Sequence, residues 1–184
     1  MVWFNTPCNP SGSIYSKAEL EALAVVLRKY PHIFILSDEI YKYINFTNER
    51  VTSVAEIDGL YERTITVNGM SKAFAMTGWR IGYMGAPEWI AKACAKVQGQ
   101  VTSGTNAIAQ RASIAALKAP KSKIQYMVDE FKRRRDLVLQ LLNEIEGFKL
   151  NIPEGAFYVF PDVSSFFGKT LKGRVIYSDR KSVV

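Results

Sequence analysis

Three polar segments of the sequence carry side chains that can do chemistry. They are residues 5–12, 37–41 and 68–80, and between them they hold carboxylates, hydroxyls, an amine and a guanidinium group. Amines and carboxylates can move protons, and a guanidinium group can hold an anion through two parallel hydrogen bonds. Each segment alone also has an ordinary structural explanation, as a turn, a strand end or an exposed charged stretch. Their meaning therefore depends on the elements that position them.

Strand-like and helix-like patterns alternate along the chain, which indicates β-α units around a mostly parallel sheet. Short apolar segments predict strands at residues 2–4, 33–36, 63–67 and 81–84. A capping box of Ser16 and Glu19 begins a helix that ends near Tyr30, and further helices are predicted at 89–100, 107–118 and 123–145. We therefore predict an α/β fold with a mostly parallel sheet sandwiched by helices. Ligands bind at the carboxyl ends of the strands in such sheets, and the three polar segments each follow a predicted strand.

The composition is that of a soluble globular chain with a sizeable core. Of the 184 residues, 48% are hydrophobic and 22% are charged, and no apolar run is long enough to cross a bilayer. The two cysteines, Cys8 and Cys94, lie far apart, and no secretory leader precedes them. A disulfide framework or a zinc cluster is therefore not indicated, no metal site is predicted, and the cytoplasm is the expected location.

The net charge of +7 comes from the second half of the chain, partly from the basic run at residues 132–135. Such a run can bind nucleic acid. However, apolar residues such as Ile124, Val128 and Phe131 recur around it at helical spacing, which favours the solvated face of an amphipathic helix. We therefore predict neither a nucleic-acid partner nor a membrane partner.

In combination and in this order, the polar segments resemble the motifs of one protein family. The strings NPSG at 9–12, SDEIY at 37–41 and SKAFAMTGWRIGY at 71–83 are similar to those of the pyridoxal-phosphate-dependent aminotransferases of fold type I, class I, the aspartate aminotransferase relatives. The resemblance spans residues 1 to about 165 and includes the family's spacing between a Schiff-base lysine and a phosphate-binding arginine, here Lys72 and Arg80. It implies transfer of an amino group between an L-amino acid and a 2-oxo acid.

The resemblance implies that pyridoxal 5′-phosphate is the cofactor and that Lys72 holds its aldehyde as a Schiff base. Lysine has the amine that an imine requires, and Lys72 would also be the base for the proton shift. The pyridine nitrogen must stay protonated if the ring is to accept electrons, so a carboxylate must lie beside it, and Asp38 fits this role. Together with Tyr41, these residues form the predicted catalytic set.

The same resemblance assigns the other cofactor contacts. Asn9 and Tyr41 would donate hydrogen bonds to the phenolic oxygen of the cofactor. Arg80 would hold the phosphate as a planar fork, and Ser71 would touch it. Residues 155–158 resemble the segment that lines the substrate side of the pocket, although a buried aromatic residue in a strand is more often part of a core.

The resemblance also predicts how the chain is divided. Residues 1–120 would be the C-terminal portion of the large cofactor-binding domain, 121–146 a long connecting helix, and 147–184 part of a small α+β domain with an atypical tail, with strands in 148–163. After Lys172 the sequence loses the family pattern. For this reason neither Arg174 nor Arg180 is assigned to the substrate carboxylate.

Family members are longer than this chain. The N-terminal arm, the phosphate-cradling loop, the aromatic residue that stacks on the pyridine ring and the groups given by a neighbouring subunit have no counterpart here. We therefore expect the sequence to start within a domain, the longer form to be a homodimer, and the 184-residue chain to be impaired or inactive. Two alternatives stay open: another enzyme of this fold, such as a β-lyase or synthase, and a non-catalytic ligand-binding module.

Overall fold

A four-stranded sheet lies at the centre of the computed structural model, which describes residues 1–177. Its strands are β1 (Val2–Asn5), β2 (Ile35–Asp38), β3 (Thr64–Gly69) and β4 (Gly82–Gly85), and they lie in that order. The first three are parallel, and β4 runs antiparallel to β3. The predicted α/β class with a mostly parallel sheet is confirmed.

Helix α1 (Lys17–Leu27) connects β1 to β2, as a parallel pair requires. It begins at the predicted capping box, in which the Glu19 amide donates to the Ser16 hydroxyl and the Ser16 amide donates to the Glu19 carboxylate. The buried face of α1 packs against the sheet and the following loop. The members of this core are Leu20, Ala24, Leu27, Ile35, Val54, Ile57 and Leu60. Each leucine, isoleucine or valine among them stabilises the fold by about 1.5–3 kcal/mol through burial.

Four further helices follow β3. They are α2 (Met70–Ala73), α3 (Glu88–Val101), α4 (Ala107–Lys118) and α5 (Ser122–Asn143). Single turns of 3-10 helix lie at Val54–Glu56, Tyr61–Arg63, Thr77–Trp79 and Ser164–Phe166. The predicted limits of α4 are confirmed, because the Asn106 side chain accepts a hydrogen bond from the Ala109 amide and so caps the helix where the polar sequence ends.

The predicted strands within residues 148–163 are wrong. This segment makes only two isolated bridges, between Asn45 and Gly155 and between Lys149 and Asp162. Its prolines lack a backbone N–H, and its other amides bond to scattered loop carbonyls, so no continuous ladder forms. The described strands beyond α5 are instead β5 (Thr170–Leu171) and β6 (Arg174–Val175), a short antiparallel pair. Arg180 lies outside the described residues.

A second cluster of buried residues joins the segment after α5 to the loop after β2. Tyr41, Ile44 and Ala156 form its centre, and Phe131 of α5 packs against it. The two halves of the described chain therefore meet beside the carboxyl end of β2. Among the helices of residues 1–177, none has the length and apolar character needed to cross a membrane.

Candidate functional site

The carboxyl ends of the three parallel strands lie side by side. In the register of the sheet, Asp38 at the end of β2 is the partner of Asn5 on one side and of Val67 on the other. The Asn5 side-chain amide donates to the main-chain oxygen of Asp38 at 3.3 Å. The polar segments that follow these strands are therefore brought to one edge of the sheet, as predicted.

Two adjoining cavities open at this edge and share Asp38 and Ile40. The first, of about 420 Å³, is lined by Trp3, Asn5, Asn9, Asp38, Ile40 and Tyr41. The second, of about 350 Å³, is lined by Asp38, Ile40, Val67, Asn68, Gly69, Ser71, Arg80, Ile81 and Gly82. We call the two together the strand-end cleft. It contains five of the six predicted site residues, and the sixth, Lys72, lies beside it.

Asp38 is the half-buried carboxylate where the two cavities meet. Its Oδ1 accepts a hydrogen bond from the Ile40 amide at 3.1 Å, which fixes the carboxylate in a local turn. Asn9 is exposed at the rim, and its backbone amide donates a hydrogen bond to the Asn5 Oδ1 at 2.6 Å. Asn5 thus supports both predicted residues. The sequence placed Asn5 in a polar segment without assigning it this role.

Lys72 lies on the single turn of α2, directly after β3. Its Nζ is 5.8 Å from the ring centre of Tyr41 and 5.6 Å from that of Phe157, so the amine lies at cation–π distance from both aromatic rings. Within residues 1–177, no carboxylate lies within ion-pair distance of this amine. Its position beside Tyr41, a wall of the cleft, leaves it able to reach a group bound there.

Arg80 lies on the other side of Asp38, where the chain takes a left-handed conformation with φ of 51°. One guanidinium nitrogen donates to the Thr77 carbonyl at 2.9 Å. This is its only hydrogen bond within the described residues, so the remaining N–H groups are available to an anion. A larger cavity of about 700 Å³ borders Arg80 near Gln98 and Thr102, but no other predicted site residue lines it.

Tyr41 is buried, and its hydroxyl oxygen lies 2.5 Å from that of Tyr158. Burial raises the pKa of Tyr41, and the hydrogen bond with Tyr158 raises it further, so the phenol stays neutral at physiological pH. The favoured core role for residues 155–158 is confirmed for Ala156, which is buried with Tyr41 and Ile44, and for Tyr158, which packs against that cluster. Phe157 lies against Lys72 and Tyr158 against Tyr41, and the signal for this was the aromatic pair in a segment resembling the substrate side of a pocket.

Each basic side chain of the run at 132–135 pairs with one of two carboxylates of α5. Arg133 and Arg134 each bond to Glu130 at 2.8 Å, while Lys132 and Arg135 pair with Asp136 at 3.2 and 2.7 Å. Arg135 also packs over the ring of Phe46 at 4.9 Å. The run is therefore a salt-bridged helix face, in agreement with the interpretation favoured from its spacing. The absence of a nucleic-acid partner stays a prediction.

Comparison with known proteins identifies the family whose fold has polar segments at the strand ends of a parallel sheet. The family described as Aminotransferase class I and II matches residues 1–177. The chain belongs to this family. An aspartate aminotransferase from Rhizobium meliloti is 46% identical over 180 residues, covering 97% of this chain and 44% of the relative. One from Pinus pinaster is 47% identical over 166 residues, covering 89% of this chain and 34% of the relative.

A crystal structure confirms the likeness in three dimensions. The aspartate aminotransferase from Rhizobium meliloti superposes with a TM-score of 0.93 at 45% identity, covering 97% of this chain and 45% of that one. The chain thus spans less than half the length of these relatives. The order of the strands and the placement of the cleft therefore belong to the aminotransferase fold.

Members of this family depend on pyridoxal 5′-phosphate, and the residues of the cleft fit this group. A planar pyridine ring with a phosphate and an aldehyde needs a carboxylate for the ring nitrogen, a cation for the phosphate and an amine for the aldehyde. Asp38, Arg80 and Lys72 supply one of each, and the short segments that carry them meet at one sheet edge. Asn9, Tyr41 and Ser71 add polar groups along the cleft.

Proposed function

We propose that this chain carries the cofactor-binding part of an aminotransferase that moves an amino group between an L-amino acid and a 2-oxo acid. The observation that carries the proposal is the meeting of Asp38, Tyr41, Lys72 and Arg80 around one cleft. The names of the two relatives, both aspartate aminotransferases, support amino acids of the aspartate type as substrates.

Pyridoxal 5′-phosphate, when bound, supplies an aldehyde that accepts the amino group and a ring that withdraws electrons. The Lys72 amine would hold the aldehyde of the cofactor and would also serve as the base for the proton of the substrate α-carbon. Tyr41 and Phe157 hold this amine on one side of the cleft.

The remaining residues would hold the cofactor and set its charge. Asp38, fixed by the Ile40 amide, would keep a proton on the pyridine nitrogen. Arg80 and Ser71 would bind the phosphate, and Asn9 and Tyr41 would donate to the phenolic oxygen.

We also propose the wider organisation that the resemblance predicts. Residues 1–120 would belong to the large domain, 121–146 to the connecting helix and 147–184 to the small domain, and the longer form would be a homodimer in the cytoplasm. The free thiols of Cys8 and Cys94 are compatible with a reducing compartment. The 184-residue chain would turn over slowly by itself, since relatives more than twice its length share this fold.

The test is a single-turnover reaction at high protein concentration. The purified chain is loaded with pyridoxal 5′-phosphate and mixed with aspartate or glutamate, and 2-oxo acid and ammonia are measured. The proposal expects 2-oxo acid to form, up to one equivalent per bound cofactor, without ammonia. Lack of conversion of aspartate and glutamate, together with release of ammonia and a 2-oxo acid from an amino acid that has a leaving group on its β-carbon, would instead indicate a β-lyase. Binding of cofactor without conversion of any of these amino acids would indicate a ligand-binding module.

A further inference from the structure

One contact at the cleft is not explained by binding of the cofactor. The hydroxyl oxygens of Tyr41 and Tyr158 lie 2.5 Å apart, although 117 residues separate them in the sequence. Their rings meet edge to face, with centres 5.6 Å apart and an interplanar angle of 81°. Both hydroxyls can rotate about the bond to the ring, and either can donate, so the shared hydrogen bond limits the pair to two arrangements. Tyr41 can donate to another group only in the arrangement in which Tyr158 is the donor.

The backbone before Tyr158 is tied to the loop that carries Tyr41. The Ala156 amide donates to the Ile44 carbonyl at 2.9 Å, and the Phe46 amide donates to the Glu154 carbonyl at 2.8 Å. These bonds surround Gly155, where a Cβ atom would come within 2.8 Å of the Ile44 oxygen. The chain therefore approaches Ile44, three residues after Tyr41, as closely as a glycine permits, and Tyr158 follows three residues after Gly155.

A third anchor comes from helix α5. The Arg135 guanidinium donates to the Pro153 carbonyl at 2.8 Å and lies 4.9 Å from the ring centre of Phe46. It thus holds both the segment before Tyr158 and the loop after Tyr41. Because three connections fix the two segments relative to each other, Tyr158 is a rigid partner for Tyr41 and not a mobile side chain.

Tyr41 has no other hydrogen-bond partner for its hydroxyl within residues 1–177. Its ring also forms one wall beside the Lys72 amine. A change in the orientation of Tyr41 would therefore alter the cleft beside the predicted nucleophile.

We propose that Tyr158 is a positioning residue, whose hydroxyl fixes the orientation of the Tyr41 hydroxyl in the cleft. This rests on the proposed function, since Tyr41 matters to the reaction only if the cleft holds the cofactor. Tyr158 itself need not touch cofactor or substrate. Its effect passes through the hydrogen bond to Tyr41, and the ring contact alone cannot replace it.

The test uses Tyr158→Phe, which removes the hydroxyl and keeps the ring. Tyr15→Phe is the matched control, because the Tyr15 ring also packs edge to face, on Phe4 at 5.8 Å, but lies outside the strand-end cleft. The chain is labelled with ¹³Cζ-tyrosine, and the Tyr41 signal among the nine tyrosines is assigned from the Tyr41→Phe variant. Two quantities are measured: the Tyr41 Cζ chemical shift without cofactor, and the Kd for pyridoxal 5′-phosphate. Unfolding curves of each variant show that it is folded.

The expected result is that Tyr158→Phe moves the Tyr41 signal and weakens cofactor binding roughly 2- to 12-fold, the range that corresponds to one neutral hydrogen bond. Tyr15→Phe changes neither. An unmoved Tyr41 signal, or an unchanged Kd beside a moved signal, would overturn the positioning role while leaving the proposed function in place. If the parent chain binds no cofactor at all, the proposed function fails, and the role of Tyr158 fails with it.

Discussion

Asn5 and Asp38 lie opposite each other on neighbouring parallel strands, and Asn5 connects the two polar segments that follow those strands. Its Nδ2 donates to the Asp38 carbonyl at 3.3 Å, and its Oδ1 accepts from the Asn9 amide at 2.6 Å. One side chain thus supports the turn that carries Asn9 and the strand end that carries Asp38. The arrangement of the cleft therefore depends on Asn5, which supports Asn9 and Asp38 and to which no contact with the cofactor is assigned.

Asn5→Ala should weaken cofactor binding without removing the attachment site. The substitution leaves the Asn9 amide and the Asp38 carbonyl without this partner, which costs about 1–3 kcal/mol where water does not replace it. The measurement is the Kd for pyridoxal 5′-phosphate together with urea unfolding. Asn48→Ala, in an exposed loop, is the control. Equal Kd values for the two variants would show that Asn5 does not support the cleft.

Gly155→Ala should destabilise the fold. A Cβ atom there would lie 2.8 Å from both the Ile44 carbonyl oxygen and the Pro7 Cβ, so the backbone must shift. Such overpacking typically costs about 1–3 kcal/mol. Gly99→Ala is the matched control, because it lies within α3 with no atom close to the added carbon and should stabilise the helix by about 0.5–1 kcal/mol. Urea unfolding should therefore show opposite signs for the two variants, and equal signs would refute the close approach.

Glu130 should make the stability of the chain depend on acidic pH. Hydrogen bonds from Arg133 and Arg134 lower the pKa of Glu130 from 4.5 to about 2. A lowered pKa in the folded state means that the stabilisation is complete above 4.5 and is lost as the pH falls towards 2. Glu130→Gln should remove this part of the pH dependence, and the exposed Glu146→Gln should retain it. Unfolding free energies at pH 7 and pH 3 measure the difference, and identical profiles for parent and Glu130→Gln would contradict it.

Local sequence patterns were enough to predict the central sheet, α1 and α4. These elements depend on short-range signals. They are the capping box of Ser16 and Glu19, the N-cap at Asn106, and short apolar segments without helical periodicity. The meeting of the three polar segments was also predictable, because each follows a predicted strand and parallel strands end at one edge. The individual site residues came from the resemblance to the aminotransferase family.

The failures concern contacts between distant parts of the chain. Residues 148–163 have strand-like composition, but no neighbouring strand offers them a ladder. The meeting of Tyr158 with Tyr41 spans 117 residues and depends on how the segment after α5 returns to the sheet. Periodicity and helix caps carry no information about how the segment after α5 returns to the sheet. The sequence therefore favoured a core role for Phe157 and Tyr158 without predicting the contact with Tyr41.

The 184-residue chain should turn over more slowly than a longer version. The comparison is with a chimaera in which the aspartate aminotransferase of Rhizobium meliloti supplies the part of its length that this chain does not match, since the two share 46% identity over 180 residues. Losing one desolvated charged contact to the substrate costs about 2–5 kcal/mol, so a large loss of kcat/KM is expected. Equal steady-state rates, with the molecular mass measured for both, would show that the site is complete within these residues.

The central claim is that Lys72 binds the cofactor covalently at the strand-end cleft, and borohydride reduction followed by peptide mass analysis tests it most directly. The chain is incubated with pyridoxal 5′-phosphate, reduced and digested, and the modified lysine is identified. Lys92→Ala, which changes an exposed lysine paired with Glu88, is the control and should keep the adduct. The account predicts the adduct on Lys72 and its loss in Lys72→Ala. A stoichiometric adduct on another lysine, or an undiminished adduct in Lys72→Ala, would contradict it.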